Sequence, residues 1–188
     1  AIEEKKKLCY KNKIALITGS SRGIGKATAL LFAKEGAKVV VNYLFSKKEA
    51  FAVVDEIRKI GSNATAIKCD ISKETDVKKM VQKTIDKFGK IDILVNNAGI
   101  VFDVPFFDRT AKQWKKTLDV NLLGTFLCSK YTSQQMLKTG GGKIINISST
   151  NGINTFSPEA MDYDASKAGI IILTRDLAKE LAPKIQVN

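Results

Sequence analysis

Short runs of β-branched residues recur along this chain at regular intervals, and the stretches between them have helical periodicity. The runs are KIALIT (13 to 18), AKVVVNY (37 to 43), ATAIKCD (64 to 70), IDILVNN (91 to 97) and KIINIS (143 to 148). Each is apolar at nearly every position instead of every second one, which predicts strands buried on both faces. The clearest intervening helix covers 73 to 88, where Val77, Met80, Val81, Thr84, Ile85 and Phe88 share one stripe while lysines and acids fill the other side. Strand and helix repeated in this way make right-handed crossovers, so neighbouring strands run parallel and helices cover the sheet. The expected fold class is α/β, a doubly wound parallel sheet. At 188 residues the chain has material for one sizeable core. The expected organisation is an arm over 1 to 12, with KKK at 5 to 7, and one domain over 13 to 188.

Composition removes several kinds of chemistry. There is no histidine, and Cys9, Cys69 and Cys128 lie far apart without C-x-x-C spacing. Zinc sites and His-based triads therefore lack their usual parts, no metal is expected, and the thiols are expected to be reduced. No run reaches the roughly 20 apolar residues of a membrane span. The opening AIEEKKKLCYKNK has no apolar signal core and carries two glutamates. The expectation is a cytoplasmic protein with no membrane partner. The net charge is +12, from 31 basic and 19 acidic residues. Only four of the basic residues are arginine, Arg22, Arg58, Arg109 and Arg175, whereas base readout and bidentate phosphate contacts favour arginine. The lysines are scattered, so no nucleic-acid partner is expected; compositional bias and an acidic partner are the two readings of the excess.

Folds of this class bind ligands at the carboxyl ends of their strands, and the unusual residues of this chain are there. The first strand runs into TGSSRGIG, 18 to 25, with Gly19, Gly23 and Gly25 spaced G-x-x-x-G-x-G. Such glycines permit the turn and let backbone N–H groups approach a pyrophosphate at a helix N-terminus; a plain tight turn is the other reading. The stretch lacks the Gly-Lys-Ser/Thr ending of an ATP-binding P-loop. The fourth strand ends in NNAG, Asn96 to Gly99, residues that also make ordinary turns. Asn121 falls inside a helical stretch from about 110 to 137, where asparagine is a poor helix former. The fifth strand ends in Ser148, Ser149 and Thr150. DYDASKAGIIILTRDLAKELAP, 162 to 183, then reads as a helix starting on Asp162 or Tyr163 and stopped by Pro183. Tyr163 and Lys167, four apart, share a face and can be aimed at one point, although ordinary helix surfaces carry such pairs too.

Together, TGSSRGIG, NNAG, Asn121, the serine after strand five and Tyr163-x-x-x-Lys167 resemble the short-chain dehydrogenase/reductase family, in its order and over nearly the whole chain from Lys13 onward. GAKVVVNY, DILVNNAG and YDASKAG are similar to its β-ketoacyl-acyl carrier protein reductase branch. The resemblance implies a Rossmann-like fold, an NAD(P)-dependent oxidoreductase that interconverts a ketone and a secondary alcohol, and a Ser-Tyr-Lys-Asn tetrad. It implies cofactor contacts at Gly19, Ser21, Arg22, Gly23, Ile24 and Gly25, at Asn42 and Tyr43 at the end of the second strand, and at Asp70 and Ile71 after the third, with Asp70 at the adenine. Asn97, Ala98, Gly99, Tyr163 and Lys167 complete that set. Further helices and a last strand are implied after IQVN. The branch implies acyl carrier protein as partner, met by basic residues beside the active-site mouth, for which Lys138 and Lys184 match in position. Where reductases of fatty-acid synthesis carry Gly and Gln before the tyrosine, this chain has NTFSPEAMD, Asn154 to Asp162. A small ketone, sugar or polyol substrate therefore stays open, as does a non-catalytic dinucleotide-binding regulator, against which the complete tetrad speaks.

A carbonyl that accepts hydride must also gain a proton, and a free phenol, with a pKa of about 10, is a poor participant near neutrality. Bringing a phenol near 7 takes about 4 kcal/mol, which a positive charge about 4 Å away supplies at an effective dielectric near 20. Lys167 is expected to be that charge, with Tyr163 as acid in reduction and base in oxidation. The resemblance adds that Lys167 binds the nicotinamide ribose and that Asn121 holds a water linking Lys167 to solvent. A hydroxyl donor should meet the developing oxyanion. Ser149 is the expected one, because Gly152 follows it by three residues as in the family pattern; Thr150 is the alternative, because Ser149 leaves a spacing to Tyr163 one residue longer than is common. An acid at the end of strand two would repel a 2′-phosphate. Asn42 and Tyr43 stand there and Arg22 offers a guanidinium, so NADP(H) is the preferred cofactor, with NAD(H) possible. The apolar run GIIILT, 169 to 174, covers more than one helix face and asks for a second cover. With the family's pairing of this helix and the 110 to 137 stretch across a two-fold axis, a homodimer or homotetramer is expected.

Overall fold

The strands are β1 (Ile14–Ile17), β2 (Lys38–Tyr43), β3 (Ala64–Lys68), β4 (Ile93–Asn96), β5 (Gly142–Asn146) and β6 (Ile185–Val187). All pair in parallel, in the order β3-β2-β1-β4-β5-β6. The chain winds outward from β1 to β3, then returns to the other side of β1 for β4, so a crevice opens beyond the carboxyl ends of β1 and β4. This computed structural model describes residues 8 to 154 and 158 to 188. The KKK of the arm and the centre of NTFSPEAMD, 155 to 157, lie outside the described residues.

Alternation along each strand sorts its side chains into two cores. Ala15, Ile17, Val39, Val41, Ile93 and Val95 meet α1 (Gly23–Lys34) and α2 (Lys47–Lys59) through Phe32, Val53, Val54 and Ile57. Leu16, Val40, Leu94 and Ile144 point the other way, toward Val77 and Met80 of α3 (Glu74–Phe88) and Leu127 and Met136 of α5 (Gly124–Lys138). Leu16 and Leu94 are fully buried, where truncation to alanine costs about 2–5 kcal/mol. In α3, Val77, Met80, Val81 and Thr84 are buried as the stripe requires, with Ile85 and Phe88 packed at its edge.

Three expectations need correction. Burial on both faces holds for β1, β2 and β4 but not for β3 or β5. β3 is at the edge of the sheet, and β5 lies beyond the cover of α1 and α2, leaving Ile145 half-buried. The long helix after residue 110 is broken: α4 (Ala111–Leu118) passes through a π-helical turn, Asp119–Leu123, before α5. The last helix, α6 (Met161–Leu181), begins one residue earlier than its sequence suggests and ends two residues before Pro183. Among the described residues no helix is long and apolar enough to cross a membrane.

Candidate active site

The glycine loop between β1 and α1 is braced by both neighbouring strands. Gly19 and Gly23 have φ of +61° and +56°, a region L side chains avoid. The Gly19 N–H donates to Asn42 Oδ1 (3.0 Å), and Asn97 Nδ2 donates to the carbonyls of Thr18 (2.9 Å) and Gly19 (3.2 Å). Thr18 Oγ1 in turn accepts from the N–H groups of Asn97 and Ala98, both at 3.0 Å. A methyl added at Gly25 would lie 2.5 Å from Asn97 Nδ2 and 2.6 Å from Gly19 O, whereas one at Gly23 would meet nothing within 4 Å among the described residues. The loop is thus tight against the protein and open at Gly23.

Helix α1 also starts differently from its neighbours. Arg22 at its N-cap makes no side-chain capping bond and the first turn has no acid. By contrast, α3 carries Glu74 and Asp76 there, and α4 has a full capping box of Thr110 and Gln113. The free N–H groups and positive dipole end of α1 are left for an external anion. A cleft of about 470 Å³ runs from this loop to Val120 and includes Gly19, Ser21, Arg22, Asp70, Ile71, Asn97, Ala98 and Gly99 in its lining. The loop, the uncapped helix end and the cleft fit a nicotinamide dinucleotide, with the backbone around Gly23 to hold its pyrophosphate.

Other expected contacts have different surroundings. Gly23, Ile24, Gly25, Tyr163 and Lys167 lie outside the lining of that cleft. Asn42 and Tyr43 are at its wall, but the Asn42 carboxamide is spent on Gly19 and on the carbonyls of Ile67 and Cys69, and the Tyr43 ring packs on Phe51, 6.4 Å between centroids. Phe45, 89% exposed, and Ser46 occupy the rim in their place. Burial opposes ionisation of Asp70, but hydrogen bonds from Ser72 Oγ (2.6 Å) and Ser72 N (3.1 Å), with the charges of Lys116 and Lys73, hold it below the usual carboxylate range. Lys116 lines the cleft and went unnoticed in the sequence, where nothing sets it apart from the 26 other lysines. Burial, reinforced by Asp76 and Asp70, pushes the neighbouring Cys69 thiol up to about 12; all three cysteines are free.

The catalytic candidates lie beyond the lining of that cleft, on the side of Gly99. The π-helical turn presents Asn121, fully buried, to the loop after β4: its Oδ1 accepts from Ile100 N (2.8 Å), and its Nδ2 donates to Ile100 O (2.9 Å) and Ser166 Oγ (3.0 Å). Lys167 is 4% exposed, with Nζ donating to Ile147 O (2.7 Å) and lying 5.4 Å from the centre of the Tyr163 ring. Burial lowers its ammonium from 10.5 to about 8. A methyl on Gly99 would be 3.4 Å from Asn121 Oδ1 and 3.7 Å from Lys167 Nζ, which joins the cleft to this cluster. Ser148 Oγ donates to Lys167 O (2.8 Å), and Ser149, in extended backbone, heads a 3-10 turn, Thr150–Gly152, with Oγ accepting from Asn151 N (3.2 Å). Gly152 is needed for close approach: a methyl there would be 2.8 Å from the carbonyl carbon of Lys167.

Ser166 was missed although it is part of YDASKAG. Lys138 and Lys184 do not flank the mouth as expected. They lie at the end of α5 and beyond the end of α6, at the amino edge of the sheet, and α6 runs about 27 Å from Tyr163 to its end at Leu181, on the side of Lys184. There Lys184 shares a basin of about 550 Å³ with Lys13, Lys90 and Lys143.

Residues 13–188 match the model of the short chain dehydrogenase family. A 3-oxoacyl-[acyl-carrier-protein] reductase of Synechocystis is 46% identical over 177 residues, 94% of this chain and 71% of the relative. One from Staphylococcus epidermidis is 44% identical over 178 residues, 94% and 72% of the two. Among solved structures, a short-chain type dehydrogenase/reductase from Mycobacterium marinum superposes with a TM-score of 0.91 at 37% identity, covering 95% of this chain and 73% of its own. An NAD+-bound xylitol dehydrogenase gives 0.90 at 34%, covering 96% and 69%. With a family match over residues 13–188 and relatives 44–46% identical across 94% of its length, this chain belongs to the short-chain dehydrogenase family of oxidoreductases.

Proposed function

We propose that the protein reduces 3-oxoacyl groups carried on acyl carrier protein in fatty-acid synthesis, in the cytoplasm, with NADP(H) as cofactor. The observation that carries this is the 44–46% identity to reductases of that name across 94% of the chain. The likeness to a xylitol dehydrogenase, at 34%, supports a polyol or small ketone as the second reading. The catalytic unit is taken as residues 13 to 188, with 1 to 12 as an arm.

The bound nicotinamide supplies the hydride. Tyr163 gives its hydroxyl proton to the carbonyl oxygen in reduction and takes it back in oxidation. Lys167, oriented by the Ile147 carbonyl, holds positive charge beside the phenol. At about 8 its ammonium is close enough to neutrality to pass a proton on, and Asn121 is assigned the water that returns it. Ser149 donates to the oxygen as negative charge develops. Ser148 is unsuited, since its hydroxyl is spent on α6, and Thr150 is exposed while Ser149 is half-buried. NADP(H) is supported by the absence of any acid from Asn42 to Ser46 and by Arg22 in the cleft wall.

A homodimer or homotetramer is supported by an apolar groove of about 470 Å³ where Leu122, Leu123 and Phe126 face Gly169 and Leu173. In α6, Ile170 is buried but Ile172 is 54% exposed, so the described residues leave part of GIIILT without the second cover it asks for. The function is tested by NADPH oxidation with an acetoacetyl group on acyl carrier protein, on a small thioester, and with diketones and ketoses. The expected result is kcat/KM for the carrier-bound group at least about tenfold above the ketoses, or about 1.4 kcal/mol of preference. Turnover of ketoses alone would favour the polyol reading.

A further inference from the structure

A buried ion pair stands next to the tyrosine. Arg109 Nη1 lies 2.5 Å from Asp162 Oδ1, and the two side chains are 3% and 0% exposed. Arg109 Nη2 donates to the carbonyls of Phe102 (2.8 Å), Val104 (3.2 Å) and Glu159. Asp162 Oδ1 also accepts from the Tyr163 N–H (3.0 Å), and its Oδ2 accepts from Thr117 Oγ1 (2.7 Å), four residues before Asn121. The Val104 N–H closes the same junction by donating to Glu159 O (3.0 Å). Three segments remote in sequence therefore end on one pair: the loop after β4, the last turn of α4, and the residues that lead into Tyr163.

A pair this far from water is a poor source of stability, because desolvation offsets the attraction, and apolar residues of similar size often serve as well or better. Apolar residues have no directional bonds, however. A guanidinium fork fixes three carbonyls and a carboxylate at set angles, and that carboxylate fixes the backbone of Tyr163. We propose that Arg109 and Asp162 are a positioning pair: they lock the loop after β4 and the segment before Tyr163 into one wall beside the reacting centre and set Tyr163 relative to Asn121. The proposal rests on Tyr163 as the proton donor.

The test replaces the pair by apolar residues, Arg109→Met with Asp162→Leu, in the full chain. The expected variant melts within a few degrees of the parent, binds NADPH unchanged by nicotinamide fluorescence, and loses at least about tenfold in kcat for an acetoacetyl thioester. Backbone hydrogen exchange should quicken at Val104 and Tyr163 and be unchanged at β1 and β4. Parental kcat together with parental exchange at those two amides overturns the proposal. If the double variant does not fold, Arg109→Lys decides: it keeps the charge but loses the fork, and it should fold and lose kcat, whereas parental kcat overturns the pair's role. If the parent itself reduces no ketone, the exchange comparison still stands: quickened exchange at Val104 and Tyr163 supports the pair while the reading of Tyr163 falls, and unchanged exchange overturns the pair.

Discussion

The two sides of the crevice are built on opposite plans. On the side of β1 and β2, the surface offered to a ligand is mostly main chain: Gly19 and Gly23 in left-handed conformations, an uncapped helix start, and one exposed arginine at its N-cap. On the side of β4, β5 and α6, it rests on polar side chains withdrawn from water, with Asn96, Asn121, Asp162, Ser166 and Lys167 each 4% exposed or less. The first plan is sensitive to atoms added, since any Cβ closes space reserved for backbone or ligand. The second is sensitive to atoms removed, since a buried polar group that loses its partner costs about 1–3 kcal/mol, and more if charged.

The comparison is sharpened most by the α6 pair. Tyr163→Phe should abolish turnover and leave NADPH binding intact, since only the transferable proton is lost; substantial residual reduction would remove α6 from the chemistry. Lys167→Met should be nearly as inactive and should also weaken cofactor binding, so fluorescence titration separates the two. Stability separates them further. Burial lowers Lys167 from 10.5 to about 8, so the cost of keeping its charged form is fully present below about pH 8 and is relieved as pH rises toward 10.5. At about 1.36 kcal/mol per pH unit, that cost is on the order of 3 kcal/mol. Lys167→Met should therefore raise the melting temperature at pH 7, with the gain shrinking toward pH 10. A variant less stable than the parent at pH 7 would mean that the Ile147 bond outweighs the burial.

Ser149→Ala comes next in size. Losing one oxyanion donor lowers turnover by about two to three powers of ten, with cofactor affinity retained. If Thr150→Val has that effect and Ser149→Ala does not, the donor is one residue further along. Gly25→Ala tests the other plan. The added methyl would press on Asn97 Nδ2 at 2.5 Å and Gly19 O at 2.6 Å, and overpacking of this kind costs about 1–3 kcal/mol. It should appear as a loss of about ten- to a hundredfold in NADPH affinity, with kcat at saturation much less affected. Parental affinity would mean that the loop yields freely.

The same contrast explains what could be read from the sequence. Local conformation writes itself contiguously, so TGSSRGIG and NNAG were legible, and so was the period of β-branched runs that gives the parallel sheet. The shared face of Tyr163 and Lys167 was legible because one helical turn joins them, whereas the role assigned to them came from the resemblance. Asn121 was visible as a misfit inside a helix, but not the π-helical turn that presents it, because its backbone bonds leave no residue pattern. Arg109 and Asp162 meet across 53 positions, and no local rule connects them. The wrong location for Lys138 and Lys184 has a different cause. Their spacing to the motifs is linear, whereas α5 and α6 carry the chain from the carboxyl edge of the sheet to its amino edge, so closeness in sequence order became distance in space.

The smallest expected effect is also the sharpest test of the main-chain side. Arg22 is exposed at the N-cap of α1, makes no capping bond, and lines the cleft, so its guanidinium is open to a ligand. If its task is to meet a 2′-phosphate, Arg22→Ala removes one charge-assisted contact of about 1.5–3 kcal/mol in full, and less at so open a position. The NADPH Michaelis constant should rise by roughly tenfold and that for NADH should stay nearly constant, in steady-state assays of the same ketone at fixed ionic strength. High salt should narrow the gap, because screening acts on an exposed charge and not on the backbone cradle. Equal losses with both cofactors would make Arg22 part of the loop's own structure, and the preference for NADP(H) would then have to come from Phe45 and Ser46 at the rim, where substitution should move the two constants apart.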